Sequence, residues 1–452
     1  MLGRSFSVFA SVSLALTLGL AAVAAGSAPP SFARAKTQAT GTRPDSVTIG
    51  DVNRDGTADL AVTNTGTEEE SGTSVSVLLS RGNGTFQPKV DYETGSLPVT
   101  SAIGDLNGDH KPDLVTANIK AGTVSVLLNE GGGTFQAKVD YATGGGTRSV
   151  AIGDLNGDRK PDLAVASVDT NRVSVLLNSG GGRFRRKHSL VTGRSPFSLG
   201  IRDLNGDHAL DVATVNQDAS TVSVLLNKGH GAFRPRRDYA TAEDNESDPE
   251  SLAIGDLNGD RRPDLVTANT FESTVSVLLN RGDGTFRTKR DYRTGYNSTP
   301  RWVAIGDLNS DGKRDLAIAE DDPNTVSVLL NRGNGTFEPR VDFATGRGPV
   351  AVAVGDLNAD RRTDMVTANA KANTVSVLIN TPGLCTVQKV RANLLPAAER
   401  RITSAGCRVG NVTRGYSKAV ERGRVISQSP APGTVLPRGA RVSLLVSRGR
   451  RR

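Results

Sequence analysis

Cysteine, histidine and tryptophan are scarce in this 452-residue chain. It contains two cysteines, four histidines and one tryptophan, and aromatic residues make up only 4% of it. A structural zinc site takes about four Cys or His ligands from one neighbourhood, and these few scattered residues do not supply them. They also form no recognisable pairing of a nucleophile with a base. The composition therefore argues against a zinc centre, and we expect a protein that is not an enzyme.

Long apolar runs are absent after the N-terminus, so no later segment is expected to span a membrane. The one such run, Phe6–Ala25, follows Arg4 and precedes small residues, which is typical of a secretory signal peptide. Candidate cleavage sites are Ala22-Val23-Ala24 and Gly26-Ser27-Ala28, and we assign residues 1–28 to the signal. An uncleaved membrane anchor is the alternative. The signal predicts a secreted, extracellular protein.

The two cysteines lie close together near the C-terminus, at Cys385 and Cys407. Because exported proteins meet an oxidising environment, we expect this pair to form a disulfide. The formal net charge is +8, which we interpret as a solvated basic surface, and we expect no nucleic-acid partner.

Glycine is abundant, with 50 residues, and one phrase of the form D-x-N-x-D-x-x-x-D recurs seven times. The copies begin 49 to 54 residues apart, an interval that suits a four-stranded propeller blade with its turns. Each copy starts at one aspartate: Asp51, Asp105, Asp154, Asp203, Asp256, Asp307 and Asp356.

Four strand-like pieces make up each repeat. In the third repeat they are Ser149–Ile152, Asp162–Ala166, Val173–Leu177 and a piece that starts at Phe184. Valine, leucine and threonine alternate with polar residues between Gly-rich and Asn-rich turns, which is the pattern of antiparallel hairpins. The sequence therefore predicts an all-β fold, a seven-bladed β-propeller over residues 32–380.

The seventh repeat stops after its third strand, at 381–383. Residues 32–41 match residues 135–144 in length, begin with Phe and end in Ala-Thr-Gly. We therefore predict that 32–41 supplies the fourth strand of the seventh blade and closes the ring, which removes an unpaired sheet edge. A chance match within a disordered leader is the alternative.

The repeated phrase places oxygen-bearing side chains at positions one, three, five and nine of a tight loop. Hard cations such as Ca²⁺ prefer several oxygen ligands, and a backbone carbonyl at position seven commonly adds another. Turn formation alone is the alternative, because Asp and Asn favour turns. We predict up to one structural Ca²⁺ per loop, held by Asp51, Asn53, Asp55, Asp59, Asp105, Asn107, Asp109, Asp113, Asp154, Asn156, Asp158, Asp162, Asp203, Asn205, Asp207, Asp211, Asp256, Asn258, Asp260, Asp264, Asp307, Asn309, Asp311, Asp315, Asp356, Asn358, Asp360 and Asp364.

Position six of such a loop tends to a left-handed backbone that favours glycine. Glycine stands there only at Gly56 and Gly312. We therefore expect the loops that begin at Asp51 and Asp307 to be the best formed of the seven.

This combination of features resembles the FG-GAP/VCBS repeats of integrin-α-type propellers. The match covers residues 32–380 and rests on D-x-N-x-D-x-x-x-D followed about fifteen residues later by V-S-V-L-L-N-x-G-x-G-x-F. The resemblance implies Ca²⁺ between the first two strands of each blade and recognition of a ligand on one face of the propeller.

The chain after residue 383 is similar to a PASTA domain, a small α+β module of bacterial cell-wall-associated proteins. The stretch V-I-S-Q-S-P-A-P-G-T-V at 425–435 carries this resemblance, which covers 384–449 and leaves a basic tail at 450–452. A helix is predicted from Leu394 to Ala405. Gln388 and Ala392 stand where Pro and Gly are usual in the family. The resemblance therefore implies the fold of the module but not the binding of muropeptides.

We expect a monomeric calcium-binding protein that binds or adheres to an unidentified protein or glycan at the bacterial cell envelope, in association with the cell wall. Seven bound Ca²⁺ ions would make the protein more basic, so an anionic cell-wall polymer is one candidate partner. One alternative is a lectin that uses the aromatic residues recurring at one register, among them Tyr92 and Tyr141, although strand packing explains these more simply. Another is an accessory propeller of an extracellular enzyme.

Overall fold

A computed structural model describes residues 30–67, 70–242, 248–381, 383–437 and 439–451. The predicted signal peptide and its cleavage sites lie outside the described residues. Among those that are described, no helix has the length and apolar character needed to cross a membrane.

The described residues between 36 and 378 form seven four-stranded antiparallel sheets. The N-terminal strand is β1 (Lys36–Ala39). The first sheet then consists of β2 (Pro44–Gly50), β3 (Asp59–Gly66), β4 (Ser71–Leu78) and β5 (Val90–Glu93). The second contains β6 (Pro98–Gly104), β7 (Asp113–Asn118), β8 (Thr123–Leu127) and, after the small hairpin β9 (Asn129–Gly131) and β10 (Thr134–Phe135), β11 (Val139–Ala142).

The next two sheets repeat this order with a short 3₁₀ turn after the second strand. The third sheet contains β12 (Thr147–Gly153), β13 (Asp162–Ser167), the turn Val168–Thr170, β14 (Arg172–Asn178) and β15 (Phe184–Val191). The fourth contains β16 (Pro196–Arg202), β17 (Asp211–Asn216), the turn Gln217–Ala219, β18 (Thr221–Leu225) and β19 (Arg237–Ala240).

The last three sheets complete the set. The fifth consists of β20 (Pro249–Gly255), β21 (Asp264–Asn269), β22 (Thr274–Leu278) and β23 (Arg290–Arg293). The sixth consists of β24 (Pro300–Gly306), β25 (Asp315–Glu320), β26 (Thr325–Leu329) and β27 (Val341–Ala344). The seventh contains β28 (Pro349–Gly355), β29 (Asp364–Asn369) and β30 (Thr374–Leu378), and its fourth strand is β1.

The second strand of every sheet is buried along its whole length because neighbouring sheets cover both of its faces. In β7 and in β29, for example, all six residues are buried. These strands therefore place apolar residues and small polar residues in the core on both faces, instead of alternating between core and solvent. The contacts between adjacent sheets form the core, and the all-β propeller predicted from the repeats is confirmed.

Packing between the inner strands shows that the first sheet lies against the last. A Cβ atom added at Gly50 would lie 2.9 Å from Cδ1 of Ile103, so the inner strands of the first two sheets pack closely. A glycine of each inner strand lies close to an isoleucine of the next sheet or, at Gly306, to Val354. The equivalent pair at the end of the series is Gly355 with Ile49, where the distance is 3.3 Å. Buried residues of both sheets, including Leu60 and Val366, share one apolar cluster.

The N-terminal strand β1 pairs antiparallel with β30, from Lys36 opposite Val377 to Ala39 opposite Thr374. A further bridge joins Phe32 to Asn380. The chain that precedes the first repeat thus lies on the outer side of the seventh sheet, where it covers an edge that would otherwise be unpaired.

In the described residues of the C-terminal module, 383–437 and 439–451, there are one helix and two small sheets. Its elements are β31 (Leu384–Thr386), α1 (Leu395–Ser404), β32 (Arg408–Gly415), β33 (Val425–Ser429), β34 (Val435–Pro437) and β35 (Arg441–Ser447). Strand β35 lies between β32, to which it is parallel, and β33, to which it is antiparallel. A disulfide joins Cys385 to Cys407, so β31 is linked to the segment that follows α1.

Candidate functional site

The seven Asp-rich loops all connect the first strand of a sheet to the second, so the repeat places them at the same end of the propeller. The first loop begins at Asp51, directly after β2, and ends at Asp59, the first residue of β3. The predicted site residues are therefore distributed over seven equivalent loops and do not converge on one centre.

Positions one, three and five of each loop are brought together by hydrogen bonds to the loop backbone. In the first loop the Asp51 carboxylate accepts the N–H groups of Asp55 and Gly56 at 3.1 and 2.9 Å. The side-chain oxygen of Asn53 accepts the N–H of Asp55 at 2.9 Å. Hydrogen bonds from Thr57 lower the pKa of the exposed Asp55 carboxyl. Two carboxylates and one amide oxygen therefore belong to the outer part of the loop.

Position nine lies behind these groups and is fully buried. In the second loop Oδ2 of Asp113 accepts the N–H of Leu106 at 2.8 Å, and Oδ1 accepts the N–H of Asn129 at 2.7 Å. The same pair of contacts recurs in the other six loops, at Asp59, Asp162, Asp211, Asp264, Asp315 and Asp364. This carboxylate fastens the loop to the end of the third strand, a role that the repeated phrase did not predict.

Burial raises the pKa of the position-nine carboxyls, and the neighbouring carboxylates at positions one and five add to the effect. The pKa reaches about 6 at Asp162, Asp211, Asp264 and Asp364, and about 7 at Asp315. Backbone N–H groups oppose the shift in each case. Across the residues that the structure describes, no group of three or more His, Cys, Asp or Glu side chains is arranged to hold a metal ion.

Each loop uses a left-handed backbone at two positions, four and six. In the second loop these are Gly108 (φ 83°) and His110 (φ 65°), and in the first they are Arg54 (φ 62°) and Gly56 (φ 84°). Six loops thus place glycine at one of the two positions, whereas the seventh has Ala359 at position four and Arg361 at position six, both left-handed. Because a left-handed non-glycine residue is unfavourable, position four has to be considered together with position six, and on the two positions the seventh loop stands apart.

Three loops contain a lysine at position seven whose ammonium group contacts the carboxylate at position five. The N–O distances are 3.2 Å for Lys111 to Asp109, 3.4 Å for Lys160 to Asp158 and 3.3 Å for Lys313 to Asp311. The loops that begin at Asp51 and Asp203 have Thr57 and Ala209 at this position instead. The local charge of the seven loops therefore differs.

A hydrogen bond between adjacent sheets depends on the asparagine that ends the V-S-V-L-L-N phrase. The side-chain N–H₂ of Asn178 donates to the carbonyl of Leu106 in the preceding sheet at 2.7 Å, and to Pro161 of its own loop at 3.0 Å. The same link is made by Asn129, Asn227, Asn280, Asn331 and Asn380. The first repeat has Ser80 in this place. The recurrence of this asparagine in six of the seven repeats was the feature of the sequence that could have predicted a structural role for it.

The recurrent tyrosines pack between sheets. The Tyr92 ring meets the Phe135 ring edge to face at 5.2 Å between centroids, and Tyr141 meets Phe184 in the same way at 5.5 Å. The hydroxyl of Tyr92 donates to the carbonyl of Gly133 at 3.3 Å. Packing between the sheets therefore accounts for the recurrence of these tyrosines at one position of the repeat.

Family models match most of the chain. The FG-GAP-like repeat matches six overlapping segments, which together run from 51 to 367: residues 51–116, 105–165, 154–214, 203–267, 256–318 and 307–367. The chain belongs to the FG-GAP-like repeat family. A PASTA domain is also matched, over residues 389–448. Both resemblances stated from the sequence are confirmed.

A curated relative of this FG-GAP-like repeat protein is a probable serine/threonine-protein kinase of Clostridium acetobutylicum. The two are 47% identical over 53 residues, which is 12% of this chain and 8% of the kinase. The chain therefore spans only a small part of that relative.

Three solved structures illustrate the fold. Virginiamycin B lyase from Staphylococcus aureus has a TM-score of 0.55 and 11% identity, and the match covers 77% of this chain and 99% of the lyase. An Agrocybe aegerita lectin that recognises non-reducing terminal N-acetylglucosamine has a TM-score of 0.51 and 22% identity, over 73% of this chain and 86% of the lectin. A periplasmic gluconolactonase from Pseudomonas aeruginosa has a TM-score of 0.52 and 16% identity, over 67% of this chain and 86% of the gluconolactonase. At these identities the likeness concerns the propeller fold alone.

Proposed function

We propose that this FG-GAP-like repeat protein is a secreted, non-catalytic binding protein of the bacterial cell envelope, whose propeller is stabilised by Ca²⁺ in the Asp-rich loops. The observation that carries the proposal is the recurrence in seven loops of two carboxylates and an amide oxygen on one tight turn. The PASTA domain supports the location, because these domains usually occur in cell-envelope proteins.

The donor set suits a hard cation. In each loop positions one, three and five offer carboxylate or amide oxygens, and a position-seven carbonyl is a usual further ligand in a turn of this kind. The position-nine carboxylate lies close enough to positions one and five for their charges to raise its pKa, as at Asp113. A bound cation would compensate this concentration of negative charge. The residues present therefore fit Ca²⁺, with position nine bracing the loop from behind.

The loops are not expected to bind equally. Where a lysine contacts the position-five carboxylate, as at Lys111, its ammonium group already compensates part of the charge and competes with a cation. The loops at Asp51 and Asp203, which lack that lysine, are therefore the best candidates. The loop at Asp356 is the weakest, because it must hold two non-glycine residues in the left-handed region.

Thermal unfolding of the mature protein, with Ca²⁺ and with a chelator, tests the proposal. A cation that binds only the folded state, at a hundred times its dissociation constant, adds about 2.7 kcal/mol per site. We expect a clear fall in the melting temperature on chelation, restored by Ca²⁺ and less by Mg²⁺. An unchanged melting temperature would rule out a stabilising role.

A matched pair of variants separates a loop effect from a general charge effect. Asp207→Asn removes a carboxylate from a loop without a competing lysine and should reduce the Ca²⁺-dependent shift. Asp283→Asn removes an exposed carboxylate from another turn, where Asn83 and Asn334 stand in equivalent repeats, and should leave the shift unchanged. Equal effects of the two would count against the loops as binding sites.

The binding role is proposed over an enzymatic one because the FG-GAP-like repeats and the PASTA domain do not by themselves indicate catalysis. Two of the solved structures with this fold are nonetheless a lyase and a gluconolactonase, so an accessory role beside an extracellular enzyme is the alternative. A glycan-binding role is less well supported, since the recurrent tyrosine rings pack against phenylalanines. Two experiments with saturating Ca²⁺ distinguish these roles. Ligands captured by the protein from native cell envelopes would identify a wall polymer or a protein, whereas binding on a glycan array would identify a discrete sugar.

A further inference from the structure

The positive charge of this protein is concentrated in its C-terminal module. Residues 384–452 contain 15 of the 55 Lys and Arg but only 2 of the 47 Asp and Glu, which gives a net charge of +13. The remaining 40 basic and 45 acidic residues give the rest of the chain a net charge of −5. An anionic ligand is therefore attracted to the module and not to the propeller without bound cations.

Part of this charge surrounds a groove of about 660 Å³ in the module. The groove lies where the start of α1, the end of β32 and the end of β35 come together. Its lining includes three exposed arginines, Arg414, Arg422 and Arg448, each contributed by a different segment of the chain.

The three arginines carry charge that the module does not neutralise. Within the described part of the chain, no carboxylate forms an ion pair with any of them. By contrast, Arg424 is paired with Glu421 at 2.8 Å. A guanidinium group that is free of such a partner can bind a phosphate through two parallel hydrogen bonds.

Apolar surface lies between these charges. Leu394 is 52% exposed and Tyr416 is 58% exposed, and Pro396 lines the same groove. The guanidinium of Arg448 lies over the Tyr416 ring, 5.9 Å from its centroid, so a cation already stands beside one face of this exposed ring. Nucleic-acid binding on single strands uses open aromatic faces on which bases stack. The groove instead offers cations beside aliphatic contacts, which matches a chain in which phosphates alternate with short carbon units.

We propose that this groove binds a polyol-phosphate polymer of the cell envelope, with Arg414, Arg422 and Arg448 contacting successive phosphates and Leu394 and Pro396 contacting the carbon units between them. The inference rests on the proposed envelope function. It assigns attachment to the C-terminal module and leaves the propeller face to a different ligand.

Binding of the mature full-length protein to poly(glycerol phosphate) of defined length tests the assignment. The triple variant Arg414→Gln/Arg422→Gln/Arg448→Gln should lose at least tenfold in affinity at physiological salt. The plot of log binding constant against log salt concentration should become less steep by about two, because three phosphate contacts are removed.

The matched control is Arg400→Gln/Arg401→Gln/Arg441→Gln, which removes three exposed arginines of the same module that do not line the groove. Its affinity should stay within threefold of the parent. Equal losses in the two triple variants would overturn the proposal and indicate diffuse attraction, as would no loss in either.

Two further probes distinguish the ligand. Polygalacturonate presents carboxylates and should bind more weakly, and an oligothymidylate with the same number of phosphates should bind more weakly than poly(glycerol phosphate). Equal binding of the oligothymidylate through the same arginines would overturn the choice of polymer. Ca²⁺-dependent melting of the same samples tests the propeller separately, because the groove variants leave its loops intact.

Discussion

The side-chain amide of Asn129 donates a 2.7 Å hydrogen bond to the carbonyl of Val52, a residue of the preceding sheet 77 positions earlier in the chain. Equivalent bonds join each later sheet to the one before it. The junction between the seventh and first sheets lacks this bond because Ser80 replaces the asparagine, and there the N–H of Gly84 donates to Leu357 at 3.1 Å.

Ser80→Asn should therefore stabilise the closed ring. The Leu357 carbonyl can accept a second hydrogen bond, since Leu257 accepts both Asn331 and Gly335 in an equivalent place. One such bond contributes about 1 kcal/mol. Urea unfolding should show a higher midpoint for Ser80→Asn and a lower one for Asn380→Ser, and a lower midpoint for both would contradict the role of this position.

Positions five and nine of a loop should respond differently to a chelator. Asp113→Asn places an amide against two buried N–H groups and should lower stability by about 1–3 kcal/mol with or without Ca²⁺. Asp109→Asn at the exposed position should lower stability more when Ca²⁺ is present, because the contact with Lys111 that it also removes is an exposed ion pair of small value. Denaturation with Ca²⁺ and with chelator measures both, and a Ca²⁺-dependent loss for Asp113→Asn alone would reverse the assigned roles.

The seventh loop should be the easiest to improve. Ala359 has a φ of 62°, and glycine relieves a left-handed residue by about 1 kcal/mol. We expect Ala359→Gly to raise the free energy of unfolding by about that amount and to strengthen Ca²⁺ binding at this loop. Gly108→Ala, the reverse change at an equivalent position with open space around it, should lower stability. No change in either variant would show that the backbone strain is absent.

The sixth sheet contains a buried carboxyl that should make stability depend on pH. Glu320 stands where five other sheets have asparagine, such as Asn369, which donates to two hydroxyl groups. Burial raises the pKa of Glu320 to about 7, opposed by the Ser327 hydroxyl and by Arg340. Thr325, equivalent to one of those hydroxyls, has no hydrogen-bond partner among the described residues.

Because the folded state favours protonated Glu320, this residue's contribution to stability falls as the pH rises from the unfolded pKa near 4.5 through 7. Glu320→Gln should remove this contribution, leave that of the position-nine carboxyls, and stabilise the protein at pH 8 by on the order of 2 kcal/mol, with little effect at pH 4.5. Unfolding free energies measured from pH 4.5 to pH 8 test whether stability changes with pH in this direction. Glu338→Gln, at a partly exposed residue between β26 and β27, should show no comparable gain at pH 8, because the Arg332 side chain lowers the pKa of this carboxyl. A gain for Glu320→Gln that is independent of pH would contradict the explanation.

Much of the fold could be predicted from the chain because the information is local and repeated. Each repeat has its own turns and apolar strands, so the propeller and the strand composition of its sheets follow from the pattern. The small C-terminal module was recognisable from one short stretch of sequence. The Asp-rich loops were likewise visible as a group, although the sequence assigned all four oxygen-bearing positions the same role.

The repeat, its loops and the class of fold follow from the amino-acid sequence, because hydrophobic alternation and turn residues act over a few positions. That Asp113 binds backbone amides rather than facing outward with Asp109 becomes clear in the folded protein. The reason is that its partner Asn129 belongs to another strand of the sheet. Tertiary structure also decided that Asn129 joins two sheets and that three arginines from separate segments line one groove, since such contacts depend on how distant parts of the chain pack.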